Sequence, residues 1–147
     1  MRTCHRRAPA IPCCGLGRGR VAAFRSPEKV RVVVSGLRGP HGLAFDKSGV
    51  TFINEWSGNR VVKVSPGGRV EPVADVEVPV GLALGRSGDL YVAQPQVGKV
   101  SRIKPDGTRI TLIEGLNGPR DPAFDAAGNL HIAETGAGRI LRLTDSF

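Results

Sequence analysis

The sequence predicts an all-β fold: a β-propeller of about three four-stranded blades, half of a six-bladed ring, preceded by a disordered basic tail. Three observations carry the prediction. The chain repeats itself every 39 to 40 residues, each period holds four short apolar runs, and no segment shows a helical apolar period bounded by caps.

The repeat comes first. Gly42-Leu43-Ala44-Phe45-Asp46 recurs as Gly81-Leu82-Ala83-Leu84-Gly85 and again as Asp121-Pro122-Ala123-Phe124-Asp125, at offsets of 39 and 40. Other landmarks hold the same register: Gly49, Gly88 and Gly128; Arg60, Lys99 and Arg139; and Pro66-Gly67-Gly68 with Pro105-Asp106-Gly107. Residues 29–40 match residues 108–119. Inside a period, the first run is 43–45, and the turn Asp46-Lys47-Ser48-Gly49 suits Asp at its start and Gly at its end. The second run is 50–54, with counterparts at 90–93 and 130–133. The third is 61–64, repeated at 100–103 and 140–143, and the fourth is 70–73, repeated at 110–113. Short apolar runs between turn residues read as antiparallel strands.

A four-stranded unit of about 40 residues that cannot bury both its faces alone is the signature of a propeller blade. The residues that carry it are Gly-Leu-Ala-Phe-Asp-x-x-Gly from Gly42, Leu-x-Ile-Ala-Glu from Leu130 and Gly-Arg-Ile-Leu-Arg-Leu from Gly138. They resemble the NHL repeat, and they are similar to the blades of the regucalcin/gluconolactonase family and of the streptogramin lyases. The resemblance spans residues 29–147; it implies the propeller fold and leaves activity open.

The expected organisation is a tail at 1–27 and a propeller segment at 28–147, with blade units at 36–76, 77–114 and 115–147. The segment opens on an outer strand and stops after the third strand of its last blade. Closed propellers hold ~4 to 8 blades, so the ring is expected to be completed elsewhere. Either the chain is a piece of a longer six-bladed protein, or two copies form a homodimer in which the strand at 28–34 of one seals the last blade of the other.

Composition agrees with one globular domain: 147 residues, 40% apolar, 23% charged. The longest aliphatic stretches, such as Val32-Val33-Val34, are far shorter than the ~20 residues of a membrane-spanning helix, so no membrane span is expected. The formal charge of +8 suggests nucleic acid, but Arg2, Arg6, Arg7, Arg18, Arg20 and Arg25 stand in the first 25 residues with no Asp or Glu among them. What remains is nearly neutral, whereas a nucleic-acid footprint is a basic patch on the folded part; no nucleic-acid partner is expected.

Cys4, Cys13 and Cys14 are the only cysteines, so no disulfide staples the blades. With His5 they could make four metal ligands, but the paired C-x2-C spacing of zinc sites is absent. Arg6-Arg7 followed by 8–17 has the order of an export signal, yet Pro9, Pro12, Gly15 and Gly17 interrupt its apolar region and Arg18 and Arg20 follow it. A transit segment and a non-native leader are the other two readings, and localisation stays unknown.

Equivalent residues at the inner strands converge on the ring axis, which singles out three sets. His41, Val80 and Arg120 precede or open the first strand. The regucalcin/gluconolactonase resemblance implies Asn or Asp metal ligands here; Val80 cannot ligate, Arg120 brings a fixed positive charge, and Asp121 either substitutes or pairs with Arg120. Glu55, Gln94 and Glu134 close the second strand. They could bind a divalent cation, or accept N–H bonds from the following turn, which is the favoured reading. Phe52, Tyr91 and His131 stand mid-strand, where aromatics pack between blades. No Gly-x-Ser-x-Gly elbow occurs, and Gly15-x-Gly17-x-Gly19 has no helix after it to make a phosphate loop.

Two functions follow. One is a repeat module that binds a protein or small-molecule ligand through its channel-end loops. The alternative is a metal-dependent lactone hydrolase or streptogramin-type lyase, with His41 as base or ligand and Glu55, Glu134 and Asp121 near Ca2+ or Mg2+.

Overall fold

A computed structural model describes residues 11–15, 19–24 and 30–144. Among them run fourteen strands in four antiparallel sheets. The first sheet is β1 (Ile11–Gly15), β2 (Arg20–Phe24) and β3 (Val30–Val34). The second is β4 (Pro40–Phe45), β5 (Thr51–Glu55), β6 (Arg60–Val64) and β7 (Val70–Asp75). The third is β8 (Gly81–Leu84), β9 (Leu90–Gln94), β10 (Lys99–Ile103) and β11 (Arg109–Ile113). The fourth is β12 (Pro119–Phe124), β13 (Leu130–Glu134) and β14 (Arg139–Leu143). Each sheet is a meander in sequence order, and β4 packs on β8 as β8 does on β12, so the first strands of successive sheets lie side by side. That is propeller geometry.

Two sequence expectations change here. Residues 11–15 and 20–24, expected in a disordered tail, are paired strands, with Cys13 opposite Ala22 and Cys14 opposite Val21. The physical reason is Val21, which is 1% exposed and packs with Val34 and Leu37 against Ile53, Val62 and Val64 of the second sheet. Consequently β3 is not a lone outer strand: it is hydrogen-bonded to β2 in this chain's own first sheet. Cys4, His5 and the basic pair Arg6-Arg7 lie outside the described residues.

The turns form as their residues dictate. Asp46 Oδ1 accepts from Ser48 N at 2.9 Å, Ser48 Oγ at 2.7 Å and Val50 N at 2.9 Å, which closes the β4–β5 turn and holds the carboxyl below its usual range, the Ser48 hydroxyl being the largest cause. Gly49 then takes φ 88, a left-handed angle that Gly88 and Gly128 repeat in the equivalent turns.

The core sits in the seams between sheets. Ala44, Val61 and Val76 meet Leu82, Leu90, Val92 and Ile103 between the second and third sheets. Tyr91, Ala93 and Val100 meet Leu130 and Ile132 between the third and fourth. Glycine makes the close approach possible: a Cβ on Gly81 would stand 2.1 Å from the Arg120 carbonyl oxygen, and one on Gly42 would stand 2.6 Å from that of Val80.

Candidate functional site

At the end of the ring where β4 starts, the chain reaches the axis through a bulge. Pro40 pairs with Glu55 and Leu43 with Ile53, so two residues, His41 and Gly42, oppose Asn54 alone. In the fourth sheet Pro119 pairs with Glu134 and Pro122 with Ile132, leaving Arg120 and Asp121 opposite Ala133. Such a two-against-one step re-aims side chains, and here it leaves His41, Arg120 and Asp121 exposed. The β5–β6 turn is fastened beside them: Trp56 N donates to Gly39 O at 2.9 Å and Ser57 N to Arg38 O at 3.2 Å.

The result is a cleft of about 350 Å3 lined by His41, Trp56, Val80, Pro95, Gln96 and Arg120. The whole first set of candidates, drawn from equivalent places in three sheets, therefore shares one cleft. Asp121 is not among its lining residues, and among the described residues no ion pair joins it to Arg120. Trp56, Pro95 and Gln96 were missed in the sequence. Their signal was available, because Trp56 and Pro95 follow Glu55 and Gln94 at the repeat offset of 39.

The second set is buried, and its partners come not from the following turn, as expected, but from the stretch before the first strand of the same sheet and from the third strand. Glu55 is buried; it accepts from Arg38 N at 2.7 Å and from Arg60 Nε, whose guanidinium is held above its usual range by that bond. Glu134 is 2% exposed and repeats the pattern, accepting from Asn117 N at 2.7 Å and Arg139 Nε at 2.6 Å. The Asn117 N–H first, and the Arg139 guanidinium second, hold its carboxyl below the ordinary value. Gln94 donates Nε2 to Glu77 O at 2.9 Å and accepts from Ser101 Oγ at 2.5 Å. Both oxygens of each Glu are thus taken within its own blade. Among the described residues no three His, Cys, Asp or Glu are grouped to hold a metal ion, and Glu55 and Glu134 already accept from arginine side chains.

The third set packs in the seams, except for its last member. Phe52 packs against the cluster between the second and third sheets, and Tyr91, 0% exposed, meets Phe124 edge-on with ring centroids 5.0 Å apart; burial pushes the Tyr91 hydroxyl up. His131 is half-buried, with Nε2 3.1 Å from Asp125 Oδ2. Asp125 also accepts from Asn129 N at 2.9 Å and Asn129 Nδ2 at 2.8 Å, and Asn129 with His131 holds its carboxyl far below the usual range.

Four antiparallel meanders arranged with their first strands in succession define a β-propeller. Among solved structures the chain is similar to virginiamycin B lyase from Staphylococcus aureus, at 18% identity and TM-score 0.77 over 99% of this chain and 55% of that one. It is similar also to a gluconolactonase from Xanthomonas campestris, at 21% identity and TM-score 0.67 over 83% of this chain and 43% of that one. A third likeness is to the calcium-binding protein regucalcin from Agrobacterium tumefaciens, at 20% identity and TM-score 0.67 over 78% and 44%. At these identities the likeness is one of fold. The chain spans about half the length of these structures. No protein-family profile and no curated protein sequence matches it. Among the described residues no helix is long and apolar enough to cross a membrane.

Proposed function

We propose that this chain is the ligand-binding part of a β-propeller and that its cleft takes a small molecule carrying a carbonyl or carboxylate. The observation that carries the reading is the convergence of His41, Val80 and Arg120 with Trp56 on one cleft. Each supplies a different interaction. Arg120 offers a fixed positive fork of N–H donors to an oxygen pair, His41 offers two ring nitrogens, and Trp56, 40% exposed, offers an indole face. A volume of about 350 Å3 lies in the range of small-molecule pockets.

A second reading is favoured by the neighbours, which include a lyase and a gluconolactonase: His41 acts as general base on a lactone or cyclic ester whose carbonyl rests on Arg120. Its metal-dependent form needs donors that Glu55 and Glu134 do not free, since both are tied to arginines. Fold alone does not choose between binding and turnover.

Trp56 is the sole tryptophan, so its fluorescence reports the cleft directly. Titration with gluconate and with glucono-1,5-lactone is expected to give saturable quenching that Arg120→Ala and His41→Ala each weaken about tenfold. Lactone opening above the uncatalysed rate, abolished by His41→Ala, selects the enzyme. Saturable quenching without turnover selects the binding module, and no saturable quenching with either ligand defeats the cleft assignment.

A further inference from the structure

The opposite end of the inner strands holds a second cleft that the reading above does not use. β4 runs from Pro40 to Phe45, so at ~3.3 Å per residue its two ends lie roughly 16 Å apart. At the Phe45 end a cavity of about 690 Å3 opens between the second and third sheets. One wall is apolar, with Phe45 46% exposed and Leu84 half-buried beside it. Lys47 and Arg86 stand on the rim, at equivalent places in the turns that follow β4 and β8.

The charge there is unbalanced for a readable reason. The turn after β4 begins with Asp46 and the turn after β12 with Asp125, but the turn after β8 begins with Gly85. Arg86 thereby lacks the carboxylate its neighbours carry. It is steadied instead by donating Nη2 to the Ala126 carbonyl of the next sheet, which leaves its charge uncompensated. Among the described residues neither Lys47 nor Arg86 takes part in an ion pair. Asp46 also lines the cavity, its Oδ1 held by Ser48 and Val50 of its own turn, so the charged side chains there leave one net positive charge.

From this placement we propose that the cleft is a separate binding site for a small aromatic carboxylate, with its ring on Phe45 and Leu84 and its carboxylate between Lys47 and Arg86. An apolar wall under two unpaired cations is complementary to that chemistry: the ring removes Phe45 from water, and the anion meets two charge-assisted donors. A neutral analogue would gain only the first.

The experiment is a calorimetric titration with phenylacetate and with its neutral isostere phenylacetamide. Saturable binding of phenylacetate is expected, at least tenfold tighter than phenylacetamide, and it should weaken about tenfold in the Lys47→Gln/Arg86→Gln variant. Both positions are exposed, and an unchanged melting temperature confirms that the variant is folded. The phenylacetamide comparison needs no variant. Trp56 fluorescence should not respond, which separates this site from the His41 cleft. Equal affinity for acid and amide, equal affinity in the variant, quenching of Trp56, or no saturable heat would each overturn the assignment.

Discussion

Gly81→Ala is the sharpest probe of the fold. The added methyl would stand 2.1 Å from the Arg120 carbonyl oxygen, 2.6 Å from Pro122 Cδ and 2.9 Å from the Arg120 carbonyl carbon. Two of these are backbone atoms and the third belongs to a proline ring, so none can rotate aside. Relief requires β8 and β12 to part by about 1 Å, which loosens the seam of Tyr91, Ala93, Leu130 and Ile132. Overpacking of this kind costs about 3 kcal/mol, and the stiffer unfolded chain returns about 0.7 kcal/mol of it. At about 4 °C per kcal/mol, the net loss lowers the melting temperature by roughly 9 °C. The control is Asp121, the equivalent residue in the fourth sheet, which is exposed; Asp121→Ala should melt within about 1 °C of the parent. Thermal unfolding followed by far-UV circular dichroism reads both. If Gly81→Ala melts within about 2 °C of the parent, or Asp121→Ala is equally damaging, the radial stacking argument fails.

Other outcomes test the buried pairs and the backbone. Glu55→Ala strips Arg38 N–H and Arg60 of their acceptor and should cost about 2–3 kcal/mol, the low end for a buried pair because Arg60 can turn to solvent; Glu55→Gln, which keeps one acceptor, should cost visibly less in urea unfolding. The depressed carboxyls of Glu134 and Asp46 take up protons in the unfolded chain before the folded one. Their stabilisation is therefore complete above the ordinary carboxylate range and lost as pH falls through the folded values. Melting temperatures between pH 7 and pH 3 should decline below about pH 4.5, and more shallowly in Glu134→Gln. Val78 has φ 40 where Gly39 and Gly118 have 64 and 65 in the equivalent bends; replacing it by glycine relieves roughly 0.5–1 kcal/mol net of glycine's entropy, and a melting temperature that falls would contradict this.

The spacing of Gly42, Gly81 and Asp121 was enough to read the sheets, their order and the convergence of His41 and Arg120, because a repeat fixes which residues occupy equivalent places. The first sheet was harder to see. Gly19, Asn59, Gly98 and Gly138 all take left-handed φ values just before β2, β6, β10 and β14, and Gly19-Arg20-Val21 keeps the offset of 40 from Asn59-Arg60-Val61. Arginine, proline and cysteine around it masked that match. Glu55 and Glu134 were legible as backbone N–H acceptors, but their donors are Arg38 and Asn117, 17 residues upstream, and not the turn that follows; the arginines that complete them were hidden because the partner depends on strand register, Glu55 lying opposite Arg60 and Glu134 opposite Arg139. The cleft at Phe45 was not legible because its character comes from a missing carboxylate at Gly85.

Among the described residues each apolar cluster draws on two adjacent sheets and no third. Cohesion is therefore nearest-neighbour, and a lesion at one junction leaves the others intact. Such an arrangement should come apart junction by junction rather than by collapse of a common centre. It should also accept insertion of a whole duplicated period between existing ones, since the newcomer meets on each side the same surface its template met.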